Sequence, residues 1–131
     1  MPTGVVDDWT SVVHLVGKHG EAWLTPAIWF KPSTTMMVIS NGANNNVTDT
    51  TTNILPLHEW THVDITQYQL SRDGEYRFII TLNYLEIITW VENFEARDFS
   101  DVTLYASDDF EIAAKARINN LSIETNPDDC E

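Results

Sequence analysis

The chain has 131 residues, enough for one domain with a real core and short for two. A hydrophobic content of 43%, with five Trp, five Phe and four Tyr, excludes a disordered chain. Twenty acidic residues against seven basic ones leave a net charge of −13. Without a cluster of Lys and Arg to meet phosphates, nucleic acid is excluded as a partner and anionic membrane surfaces are disfavoured.

The same acidity keeps a β-rich chain soluble, fits an extracellular setting and leaves room for a divalent cation. Cys130, the single cysteine, stands in the terminal tail and has no partner for an internal bridge. Residues 1–20 show no basic segment followed by an apolar run, so no signal peptide is read there. No apolar stretch is long enough to span a membrane, so no membrane insertion is expected.

In chain order, residues 1–9 read as a lead-in, and Thr10–Val16 as a strand carrying Val12, Val13 and Leu15. The segment 17–21 (GKHGE) is a turn. Residues 23–30 (WLTPAIWF) are apolar around Pro26, which cannot donate to a ladder and therefore marks an edge or a bulge. After Lys31-Pro32 a further strand covers 34–40 (TTMMVIS). Residues 41–53 lack apolar periodicity and are rich in Asn, Thr and Gly, which predicts an exposed loop with a short strand near 50–54.

The clearest β signal runs from 59 to 107. Val63, Ile65 and Gln67 alternate with His62, Asp64, Thr66 and Tyr68, while Tyr76, Phe78, Ile80 and Leu82 alternate with Arg77, Ile79 and Thr81. A turn at 71–74 (SRDG) sets Leu70 against Glu75 and Tyr68 against Arg77. A second turn at Asn83-Tyr84 sets Phe78 against Thr89 and Ile80 against Ile87. Tyr84 is an awkward residue where φ > 0 is required, which points to a longer turn.

The expected core face is Val63, Ile65, Phe78, Ile80, Leu82, Leu85, Ile87 and Val91. The other face carries three cross-strand rows: Tyr68–Arg77–Trp90, Thr66–Ile79–Ile88 and Asp64–Thr81–Glu86. A surface loop at 108–111 follows, then a closing strand over 114–125, and the domain ends in a tail at 126–131. With no sustained helical period and about eight to ten short strands, the chain reads as one all-β domain closed as a sandwich or barrel.

Short signatures recur in a fixed order: PAIWF at 26–30, ISNGANNN at 39–46, LPLHEWTHVDITQ at 55–67 and YRFIITLN at 76–83. VEN-F at 91–94, FSDVTLYASDDF at 99–110 and ARINNLSIET at 116–125 continue the series. Together they resemble the laminin-G-like branch of the concanavalin A-like jelly rolls, including modules of secreted invertebrate proteins. The resemblance covers nearly the whole chain and implies a two-sheet antiparallel jelly-roll sandwich. Such domains bind carbohydrate or protein ligands, often with calcium at one rim.

Glycoside hydrolases also use this architecture, placing carboxylates on alternate residues of one strand about 5 Å apart in space. No E-x-D-x-x-E occurs here, and Glu86 and Glu92 flank Trp90 six positions apart, so an enzyme is the least favoured reading. No G-x-S-x-G is present. His58 and His62, four apart on an extended strand, would sit about 13 Å from one another, too far to share a metal.

Calcium, the one candidate cofactor, takes several oxygen ligands from loops; Asn44, Asn45, Asn46 and Asp49, with Asp108 and Asp109, have that composition, and Asp7-Asp8 could join them. Arg77 between two aromatics allows cation–π stacking, which makes Tyr68, Arg77 and Trp90, with Asp64, the candidate ligand-binding residues. Asn46-Val47-Thr48 and Asn120-Leu121-Ser122 are glycosylation sequons, the first in a loop and usable in a secreted protein, the second within the expected closing strand and so expected to go unused.

The favoured function is a non-catalytic, extracellular recognition module binding a glycan or an extracellular protein. The alternative is a structural adhesion domain that self-associates, so oligomerisation is left open.

Overall fold

The computed structural model describes residues 1–16, 26–69, 76–94, 103–106 and 112–122. The expected turn at 71–74 with its Leu70–Glu75 pair, the loop residues Asp108 and Asp109, and the tail with Cys130 lie outside the described residues.

Among the described residues nine strands form two sheets, and there is no α-helix, only the single 3₁₀ turn η1 at Ala43–Asn45. The larger sheet contains β1 (Thr10–Val16), β2 (Ala27–Phe30), β3 (Met36–Asn41), β4 (Thr48–Ile54), β8 (Thr103–Tyr105) and β9 (Ile112–Ala113). Its order is β4-β3-β2-β1-β8, with β9 also on β1. Every pairing in it is antiparallel except β1 with β9, which is parallel. The smaller sheet is the antiparallel meander β5 (Val63–Gln69), β6 (Tyr76–Leu82), β7 (Glu86–Asn93).

Pro26 immediately precedes β2, where its missing N–H costs no ladder bond, while its carbonyl accepts from Leu15 N at 3.1 Å. The loop expected over 41–53 is largely strand, because Thr48–Ile54 pairs with β3 from Asn41↔Thr48 to Met36↔Ile54. Thr is a good strand former whenever a partner strand supplies the ladder, and β3 does so here.

The lead-in is also built into the fold. Pro2 bridges Ala116, Arg117 N donates to Met1 O at 2.9 Å, and His58 N donates to Pro2 O at 2.8 Å. That contact replaces the expected closing strand: residues 114–122 carry the single Pro2 bridge and otherwise no regular strand.

One core joins the sheets. Val13, Ile28, Phe30, Met37 and Ile39 from the larger sheet pack with Phe78, Ile80 and Leu82 of β6. The two layers approach most closely where β4 and η1 meet β7. There Thr50 Oγ1 and Thr89 Oγ1 share a hydrogen bond of 2.5 Å from sheet to sheet.

The meander departs from its expected register at two places. Leu82 pairs with Glu86, which leaves three residues, Asn83, Tyr84 and Leu85, in the turn. Asn83 and Tyr84 both take positive φ (49° and 67°), and Leu85 N donates to Leu82 O at 3.2 Å. A second slip between Ile80 and Thr81 leaves Ile88 as the extra residue of a bulge.

Each one-residue slip moves side chains to the opposite face. Thus Ile87 and Leu85, expected in the core, are 61% and 89% exposed. The second slip restores the phase, so Phe78 pairs with Val91 rather than Thr89, and Val91 packs against the core as expected.

Candidate recognition face

β5, β6 and β7 turn their even-numbered or odd-numbered residues outward according to this corrected register. Tyr68↔Arg77↔Glu92, Thr66↔Ile79↔Trp90 and Asp64↔Thr81↔Ile87 are the observed rows. They replace the expected rows ending in Trp90, Ile88 and Glu86. The Tyr68–Arg77 pairing stands, and Trp90 moves one step along the strand to lie diagonal to Arg77.

A diagonal neighbour in an antiparallel pair is still within reach of a long side chain. The Arg77 guanidinium uses that reach, with its carbon 4.5 Å from the centre of the Trp90 ring. Among the described residues Arg77 forms no ion pair, although Glu92 stands directly opposite, and its Nε is shielded from solvent without a hydrogen-bond partner. Trp90 remains 48% exposed, and Tyr68 and Thr66 are exposed beside it. The candidate trio is therefore brought together on one open sheet face.

Asp64 lies toward the other end of this face, where Oδ2 is 3.0 Å from His62 Nε2. The His62 ring stacks on Tyr84 at 4.0 Å between centroids and 18° between planes. The hairpin turn brings them together: His62 N donates to Asn83 Oδ1 at 2.9 Å, and Asn83 N donates to His62 O at 2.8 Å. His62 and Tyr84 were missed as site residues. The H-x-D spacing, which places two polar side chains on one face of a strand, was the available signal for His62. Tyr84 could not be placed without the turn geometry.

The described candidate calcium residues make separate contacts of their own. Asn44, at φ 59°, uses its whole carboxamide on the end of β7: Oδ1 accepts from Phe94 N at 2.6 Å and Nδ2 donates to Glu92 O at 2.8 Å. Asn44 N also donates to Asn93 Oδ1 at 2.8 Å, while Asn93 Nδ2 donates to Gln67 Oε1 at 2.7 Å. Asn46 is exposed after η1, and Asp49 is an exposed residue of β4 paired with Ser40. Asp7 and Asp8 lie elsewhere, Asp7 accepting from Ser33 Oγ and Asp8 from Trp9 N. Among the described residues no group of three or more His, Cys, Asp or Glu is gathered to hold a metal.

The second sequon also changes setting. Asn120, Leu121 and Ser122 are exposed and outside any strand, with Asn120 at φ 51°. No helix among the described residues is long and apolar enough to cross a membrane. Comparison of the chain with protein-family models, with curated proteins and with solved structures returned no match.

Proposed function

We propose that this chain is a non-catalytic recognition module of laminin-G-like jelly-roll type, acting outside the cell. Its ligand is a carbohydrate laid across the outer face of β5–β6–β7. The observation that carries this reading is the exposed Trp90 ring held beside the Arg77 guanidinium, with Tyr68 on the adjoining strand. Sugar rings present apolar C–H faces and a rim of hydroxyls. An aromatic plane fixed on a strand meets the first, and the donors of a guanidinium without an acidic partner among the described residues meet the second.

A catalytic reading has less support. Asp64 and Glu92 stand on the two outer strands with β6 between them, about 10 Å apart from strand spacing alone, against the 5 Å a retaining pair needs. Asp64 is moreover engaged by His62.

The test is a glycan array probed with the full chain, once with calcium and once with chelator. A hit should weaken tenfold or more in Trp90→Ala, with smaller losses in Tyr68→Ala, since buried aromatic anchors carry a disproportionate share of recognition energy. Silence under both conditions, together with a concentration-dependent oligomer, would replace the glycan reading with self-association.

A further inference from the structure

The two sheets meet tightly along the β4/β7 edge and part along the opposite one. Between β5 on one side and β1 with β8 on the other lies a cleft of about 530 Å³. Ile28 and Phe30 form part of its lining, as does the segment 116–122. Val12, Leu15, Val63, Ile65 and Leu104 line it and remain only half-buried, whereas Phe78, Ile80 and Leu82 on the closed side are buried. Apolar side chains aimed between two sheets and left partly wet carry an unrealised burial energy. Volume and lining fit a small apolar molecule, whose sites typically span about 300–1,000 Å³.

The rim indicates the other end of that molecule. Trp60, Asn119 and Asn120 are exposed there, with Arg117 as the cationic side chain and Asp64 as the carboxylate among the described residues. Asp64 is held by His62, while the Arg117 guanidinium has no carboxylate partner among the described residues. An apolar interior beneath an available guanidinium is complementary to an acyl chain ending in an acid.

We infer that the β5/β1–β8 cleft binds a single-chain anionic amphiphile of the fatty-acid class, with its chain between the sheets and its carboxylate at Arg117. The cleft adjoins the sheet face proposed for carbohydrate along β5, where Asp64 and Thr66 border both, but it includes none of Tyr68, Arg77 and Trp90, and neither reading rests on the other.

The experiment titrates the full chain with dodecanoate, dodecanol and dodecyltrimethylammonium, all below their aggregation concentrations. Binding is read by calorimetry, and by quenching of Trp60 with 2-bromododecanoate, whose bromine sits beside the carboxylate, using Trp60→Phe as the control. Saturable dodecanoate binding is expected. Arg117→Gln should weaken it about tenfold and leave dodecanol unchanged, as loss of one charge-assisted contact predicts. Val63→Phe combined with Leu104→Phe should fill the cleft and remove both, with circular dichroism reporting that the fold persists. If that double variant does not fold, the Arg117→Gln contrast decides alone.

Absence of saturable binding overturns the inference. So does undiminished binding by a folded, filled variant, or ammonium amphiphile bound as tightly as dodecanoate. A chain that ignores all three probes but sediments as a dimer disrupted by the filling substitutions would assign the cleft to a second copy instead.

Discussion

Arg77 and Trp90 touch although they are not partners in register: the guanidinium reaches diagonally across β6 and β7 to lie 4.5 Å from the ring centre. Its direct neighbour Glu92 is left without an ion pair to it. An exposed ion pair in water is worth little, whereas a guanidinium over an indole buries surface on both groups as well as gaining the ring's electrostatic attraction. The pair therefore holds Trp90 in place on a face that has no other layer over it among the described residues.

That arrangement can be tested without any ligand. A double-mutant cycle on Arg77→Ala and Trp90→Ala, followed by urea unfolding, should give a coupling energy of about 0.5–1 kcal/mol. Arg77→Lys should retain less than half of it, because an ammonium cannot lie flat on the ring. A coupling indistinguishable from zero would mean that the two side chains merely adjoin.

The register of the meander makes a sharper prediction from two isoleucines on neighbouring strands. Ile80 is 0% exposed and Ile87 is 61% exposed. Ile80→Ala should cost roughly 2–5 kcal/mol, as cavity formation in a packed core does. Ile87→Ala should change stability by about 0.5 kcal/mol or less. In the uncorrected hairpin the two would be cross-strand partners in one core and would cost alike, so chemical denaturation of both variants separates the registers.

Why the sequence showed one half of this hairpin and hid the other follows from the two slips. Strict alternation from His62 to Leu82 places every side chain of β5 and β6, and Tyr68 opposite Arg77 follows directly. In β7 the run Ile87-Ile88-Thr89 offers apolar residues at consecutive positions, so period-two patterning does not reveal which one bulges. Tyr84 at φ 67° was legible only as an anomaly.

The slips cancel beyond Ile88, which is why Val91 and Trp90 were still assigned to the correct faces. The Asn44 loop was ambiguous in sequence for a different reason. Oxygen-rich composition is shared by cation sites and by loops that satisfy their own backbone, and the Asn44 bonds to Glu92 and Phe94 could not be read without the fold. The cleft at the β5 edge depends on how two sheets splay, which no local pattern encodes.

The two sequons give a direct test of how the segments around Asn46 and Asn120 are presented. Asn46 and Asn120 are both exposed and both outside regular strands. Expressed through a secretory pathway, the chain should carry glycan at each, giving two stepwise mass losses on enzymatic deglycosylation. Asn46→Gln and Asn120→Gln should each remove one step. Occupancy of Asn46 alone would show that the Asn120 segment is not presented as described.

The Asn44 clamp allows backbone strain and side-chain bonding to be separated at one residue. Its carboxamide makes two bonds to the end of β7, and its φ of 59° lies in the left-handed region. Asn44→Gly keeps that backbone conformation accessible and loses only the side-chain bonds, an expected cost of about 1–2 kcal/mol. Asn44→Ala loses the same bonds and must also hold a Cβ at positive φ, adding about 1 kcal/mol. Urea midpoints should therefore fall in the order wild type, Asn44→Gly, Asn44→Ala. If instead calcium raises the wild-type midpoint and both variants lose that response, Asn44 serves a cation, and the bonds to Glu92 and Phe94 are not its main role.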